Sequence, residues 1–143
     1  MQFANITAET CELHLMWGKT AISLPIVTNV RDRIRTQTET ALQADKVTAN
    51  TYFTAANFYY EMDKDYNKAL EYVNQSLGLS NQWFNNWVKA QILAAKGMNK
   101  DAYAYALKAK ELGDKNPEGF FFKTQVEKAL EDWKAAAAPV KKK

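Results

Sequence analysis

The chain has one histidine, His14, and one cysteine, Cys11, and these are its first candidates for chemistry. A Cys-His or Ser-His-Asp arrangement needs a nucleophile and a base within hydrogen-bond reach. Both residues fall where Leu13, Leu15 and Trp17 alternate with Glu12, His14 and Met16. In an extended strand, residues three apart point to opposite faces, so Cys11 and His14 do not form a pair. No partner set for His14 is expected, and so no catalytic role. One histidine excludes a multi-histidine metal site, and one cysteine excludes an internal disulfide. Asp63-x-Asp65-x-Asn67 opens like a calcium loop, but Lys68 stands where the loop needs glycine and Asn74 where it needs a bidentate glutamate. The aspartates read as helix caps. No catalytic, cofactor-binding or metal-binding residues are expected.

Arg31, Arg33 and Arg35 are all the arginines of the chain, and three lysines, Lys141 to Lys143, end it. Alternate residues on a helix diverge, and no glycine-rich phosphate loop accompanies them, so they read as solvated charge rather than a nucleic-acid patch. A net charge of +3 is too small to argue otherwise. Asn5-Ile6-Thr7 and Asn74-Gln75-Ser76 match the glycosylation triplet by spacing alone. The densest aromatic set is more informative. Helical spacing makes most of it core, while an excess over one face is expected to line a groove with amides beside it. The groove candidates are Tyr52, Asn57, Tyr59, Phe84, Asn85 and Trp87. Amide and aromatic groups together suit peptide or sugar recognition, and equally suit interdomain packing.

The elements that must position these residues follow from periodicity. The 143 residues are 47% hydrophobic and 24% charged, ordinary globular values that exclude wholesale disorder. Aromatics at 13% give a core material to bury. Residues 1–27 read as β: the alternation at 12–17 and a second one, Ile22, Leu24 and Ile26, flank a short turn at Gly18. Phe3 and Ile6 suggest a third, shorter strand. From Thr28 the pattern turns helical, with helices expected at about 29–44, 46–62, 65–77, 82–96, 99–112 and 117–134. Gly78, Gly97 and Gly113 stand where helix C-termini want a left-handed residue. Asp63 or Asp65, Asn81, Asn99 and Asn116 stand where N-caps belong. Residues 135–143 read as a disordered basic tail.

Two very short connections, at 62–65 and 96–99, force antiparallel helical hairpins. Ala69 and Ala102 occupy equivalent places 33 positions apart, close to the period of tetratricopeptide repeats. The first unit reads Phe53-x2-Ala56-Asn57-x2-Tyr60 and Ala69-x3-Val73; the second reads Asn86-x2-Lys89-Ala90-x2-Leu93 and Ala102-x3-Ala106. These resemble degenerate tetratricopeptide repeats. Asn57 and Ala90 depart from the pattern's glycine, and Trp87 lies one residue off its aromatic position. The fold class expected is mainly α: tetratricopeptide-like hairpins with a capping helix, preceded by a β-hairpin.

A second resemblance rests on Phe3-x-Asn5-Ile6-Thr7 and Leu13-x-Leu15-x-Trp17-x-Lys19-Thr20-x-Ile22-Ser23-x-Pro25-Ile26, followed by tetratricopeptide-like helices. It is similar to an uncharacterised family of exported Bacteroidetes-type bacterial proteins, in which a β-sandwich domain of unknown function precedes a helical region. The resemblance implies a C-terminal part of such a protein, with residues 1–27 ending a truncated sandwich, 28–134 forming the helical domain, and a periplasmic or exported location. The N-terminus has no signal-peptide pattern. No stretch is apolar enough for a membrane span.

The sequence therefore leads to a non-enzymatic interaction or scaffold module without cofactor. Its concave surface would hold a protein or peptide, or the missing β domain of the same protein. The alternative is an accessory region of an exported hydrolase or carbohydrate-handling protein whose active site lies in a missing N-terminal part. Unpaired strand edges at residues 1–27 also suggest a homodimer through the hairpin.

Overall fold

A computed structural model describes residues 1–7 and 9–137. The chain is mainly helical, with a short three-stranded antiparallel sheet before the helices. It separates into two compact units, Met1–Gln37 and Thr38–Lys143.

The first unit holds strands β1 (Gln2–Ala4), β2 (Thr10–Trp17) and β3 (Thr20–Val27) in the order β1-β2-β3. The β2–β3 register runs from Thr10 opposite Val27 to Trp17 opposite Thr20. That leaves Gly18-Lys19 as a two-residue turn. Gly18 has φ +56°, which a primed turn asks of its first central residue. β1 pairs only with Glu12–His14. It ends before Ile6, which is exposed and outside the strand expected to contain it. The apolar residues of β3 are open to solvent: Ile22, Leu24 and Ile26 are 42%, 45% and 39% exposed. Pro25 is tolerated because β3 is an edge strand.

Helix α1 (Val30–Leu42) carries the division between the units, and Thr38 is its one buried residue. Helices α2 (Ala49–Glu61), α3 (Tyr66–Leu79), α4 (Trp83–Ala95), α5 (Asn99–Asp114) and α6 (Lys123–Ala137) follow. Each of α2 to α5 packs on its successor, and α2 also touches α4. The loops that join them are three or four residues within α2–α3 and α4–α5, so these pairs are antiparallel hairpins.

Small residues set the helix approach. Ala55, Ala56, Ala69, Ala90, Ala102, Ala106 and Ala109 are wholly buried, as are Val73, Ile92 and Val126. One core cluster joins Trp87 and Ala90 of α4, Ala106 and Ala109 of α5, Phe120, and Val126 of α6. Trp87 stacks on Trp133 with centroids 6.1 Å apart, which ties α4 to α6.

The caps differ from the sequence expectation in instructive ways. Asp65 caps α3 as expected, accepting from the Asn67 and Lys68 amides. Thr48 caps α2, accepting from Thr51 N–H at 3.2 Å. Gln82, not Asn81, caps α4, and Asn85 Oδ1 accepts from the Gln82 N–H at 3.0 Å. Asn81 instead accepts from Asn86 Nδ2 at 2.7 Å. Met98 caps α5, with Asn99 inside the helix. Asn116 precedes only a short 3-10 turn, Pro117–Gly119, and its side chain makes no cap bond.

Of the three glycines placed at helix ends, only Gly97 takes the left-handed conformation, at φ +77°. There Met98 N–H donates to Leu93 O and Gly97 N–H to Ala94 O, closing the α4 terminus in a Schellman motif. Gly78 lies within α3, and Gly113 within α5. Gly113 is required for another reason: a Cβ there would sit 2.5 Å from the Phe120 ring. Phe120, buried against it, breaks the expected helix over 117–134 into the 3-10 turn and α6. α6 reaches Ala137, three residues into the stretch read as tail. Residues 138–143, with the terminal lysines, lie outside the described residues.

Candidate functional site

Helices α2, α4 and α6 converge on a groove of about 380 Å³. α2 contributes Phe53, Asn57 and Glu61, spaced four apart and hence on one face. α4 contributes Phe84, Trp87, Val88 and Gln91, again at helical spacing. Phe122 and Gln125 close the third side.

The apolar wall is a set of edge-to-face rings. Phe53 and Phe84 meet at 4.9 Å between centroids, Trp83 meets Phe84 at 5.8 Å, and Trp83 meets Phe122 at 6.1 Å. These contacts orient the rings without covering them: Phe122 remains 46% exposed. The polar groups of the groove are mostly amides. Asn57 Nδ2 donates back to the Phe53 carbonyl at 3.1 Å, which fixes the amide plane. Gln91 and Gln125 make no side-chain hydrogen bond to another described residue. Glu61 is the groove's one carboxylate, 3.8 Å from Lys64 Nζ at the exposed end of α2. Apolar rings beside unengaged amides give a surface that can grip a side chain and bond to a peptide backbone at once.

Of the six residues singled out in the sequence, the groove brings together Asn57, Phe84 and Trp87. Tyr52 and Tyr59 lie elsewhere, stacked on Tyr72 of α3 at 6.3 Å and 5.5 Å. Burial, and next the Tyr59 phenol, push the Tyr72 hydroxyl above its ordinary range. Lys68 Nζ lies over the Tyr59 ring, 4.9 Å from its centroid. Asn85 is wholly buried and serves the fold. It donates to the Ser80 carbonyl at 2.5 Å and to Ser76 Oγ at 3.3 Å, and Ser76 Oγ donates to the Ala49 carbonyl at 2.9 Å. The sequence marks Phe53 as the first position of a repeat unit rather than as groove lining, and Glu61, Val88, Gln91, Phe122 and Gln125 are not among the groove residues expected from it. The four-residue spacing of Phe53, Asn57 and Glu61 was the available signal.

His14 does have partners. Its Nε2 lies 2.8 Å from Glu12 Oε2, and Ser23 Oγ donates to the same oxygen at 2.9 Å across the β2–β3 register. The arrangement still lacks the order that acyl chemistry needs. The hydroxyl donates to the carboxylate, not to the imidazole, so no base activates it. The hydrogen bond from His14, then those from Ser23 and Asn5, hold Glu12 at about 2, which makes it a weak base. Among the described residues no group of three or more His, Cys, Asp or Glu side chains could hold a metal ion. No helix among them is long and apolar enough to cross a membrane.

No protein-family model matches the chain, and no curated protein matches it in sequence.

Proposed function

We propose that the chain is a non-enzymatic interaction module whose groove between α2, α4 and α6 holds an extended peptide. The observation that carries this reading is the union, around one cavity, of partly exposed aromatic rings with the amides of Asn57, Gln91 and Gln125, the last two unengaged. The rings of Phe53, Phe84 and Phe122 would take an apolar anchor side chain. Asn57, Gln91 and Gln125 would bond to the peptide backbone, whose donors and acceptors otherwise lose water without compensation. Glu61, at the end of the groove, favours a lysine or arginine next to the anchor. The resemblance of the helices to tetratricopeptide repeats supports the same reading, since stacked hairpins present their first helices along one surface.

The test is a peptide-display selection on the intact chain, followed by affinity measurement on the selected sequences. The expected motif is an apolar residue beside a basic one, with saturable binding. Gln91→Arg, a substitution at a half-buried groove position, should weaken binding at least tenfold, or about 1.4 kcal/mol. Selected peptides that bind Gln91→Arg as well as the natural chain would overturn the proposal.

A further inference from the structure

A second cavity, about 670 Å³, lies among α3, α4 and α5 and shares no lining residue with the groove. Its volume falls in the range of small-molecule sites, roughly 300–1,000 Å³. Its character is the opposite of the groove's. Three lysines, Lys89, Lys108 and Lys115, face it with one glutamate, Glu111, which is bound to Lys115 at 3.0 Å.

The other two lysines have no carboxylate partner among the described residues. Both converge on the ring of Tyr105. Lys89 Nζ donates to the Tyr105 hydroxyl at 2.7 Å and lies 3.9 Å from the ring centroid, and Lys108 Nζ lies 4.6 Å from the same centroid. The two ammonium groups can be no farther apart than those two distances together. That is inside the ~10 Å Debye length at 0.1 M salt, so they repel. The aromatic face holds each in place by its quadrupole without neutralising it. With the cavity's one carboxylate, Glu111, engaged by Lys115, two positioned cations are left to attract an anion by charge-assisted hydrogen bonds.

Gly78 borders the same cavity. It is the penultimate residue of α3 and has no positive φ. A Cβ there would meet nothing within 4 Å, so packing does not demand glycine either. Asn74, one turn before it, also lines the cavity and makes no side-chain hydrogen bond to another described residue.

We propose that this cavity binds a small molecule carrying a carboxylate or phosphate, held between Lys89 and Lys108, with the Asn74 amide donating to it and the bare backbone at Gly78 leaving room for its body. The proposal is independent of the peptide groove.

Heteronuclear NMR titrations of the intact chain with inorganic phosphate and with succinate, at ionic strength held constant with sodium chloride, test it. Saturable shifts at the amides of Gly78, Asn86 and Lys108 are expected, and the tighter probe tells phosphate from carboxylate. Lys108→Gln should raise the apparent Kd about tenfold or more, as loss of a charge-assisted contact does. Gly78→Leu, which puts a bulky side chain on the cavity wall at a position where a Cβ would meet nothing within 4 Å, should abolish saturation while leaving the fold intact by amide spectrum. Lys108 and Gly78 are both exposed, so neither variant endangers folding. Shifts that stay linear and spread over surface lysines with both probes would overturn the proposal. So would a Lys108→Gln Kd within twofold of the natural chain.

Discussion

The sheet and the helical unit place their apolar residues in opposite ways. Along β3, every residue is exposed, including Ile22, Leu24 and Ile26. Among α2 to α5, seven alanines and a ring of larger side chains are wholly or almost wholly buried. Both regions are patterned clearly enough to read from sequence. The difference is that alternation specifies a strand and its pairing, whereas burial needs an opposing surface of matched shape. The helices supply that surface to one another through small residues in register. The open edge and face of β3 have no such partner within the first unit.

That contrast is broken most severely at Phe120. Its ring seals α5 at Gly113 and lies 5.1 Å from Trp83. Phe120→Ala should cost about 3–5 kcal/mol in denaturant unfolding; a cost below 1 kcal/mol would mean that α6 is not fastened where the contacts place it. Next comes the helix crossing. Ala69 is wholly buried, and Ala69→Leu should overpack it by roughly 1–3 kcal/mol, whereas a change near zero would remove the repeat-like register at that position. Asn85→Ala sharpens the comparison between fold and groove. It strips partners from Ser80 and Gln82 and should cost about 1–3 kcal/mol while leaving peptide affinity unchanged. A loss of affinity without loss of stability would return Asn85 to the binding site.

Smaller effects belong to the sheet. Glu12 is held down from 4.5 to about 2 in the folded chain, first by its hydrogen bond to His14. A depressed carboxylate stabilises the fold above its unfolded value and ceases to do so as pH falls through its folded one. Sheet amides should therefore lose protection between about pH 4.5 and 2, and Glu12→Gln should flatten that part of the profile. An unchanged profile in the variant would assign the titration elsewhere. Least of all should the melting temperature respond to a chain shortened to begin at Thr28, because the core cluster lies wholly within α4 to α6 and the turn before it. Its light-scattering mass is the informative quantity: an edge strand paired with a second copy gives a dimer that becomes a monomer on shortening. An unshortened chain that is already monomeric rules out pairing through β3.

The sequence showed the order of elements well because each rests on local signals: alternation at 12–17, Gly18 in the turn, Asp65 and Gly97 at helix ends. It failed where a residue answers to something distant. Gly113 looks like a terminator but is an approach site for Phe120. Asn81 looks like a cap but accepts from Asn86. The groove was half legible for the same reason. Asn57, Phe84 and Trp87 stand in an aromatic-rich stretch, but Phe122 and Gln125 join them only because Phe120 ends one turn and redirects the chain. Tyr52 and Tyr59 stack on Tyr72 instead of lining the groove, and composition cannot tell which side of α2 meets Tyr72. The lysine cavity left a fainter mark, Tyr105-x2-Lys108-x2-Glu111-x3-Lys115, on one face of α5. A fifth member, Lys89, lies sixteen residues before Tyr105.

Recognition of a peptide at the α2–α4–α6 groove remains the proposal with the most direct test. The direct measurement is amide chemical-shift mapping of the intact chain with the tightest display-selected peptide. The account expects saturable shifts at Asn57, Phe84, Gln91 and Gln125, with Tyr105 and Lys108 and the strand β3 unmoved. Shifts concentrated on β3, or on the α3–α5 face with the groove silent, would contradict it.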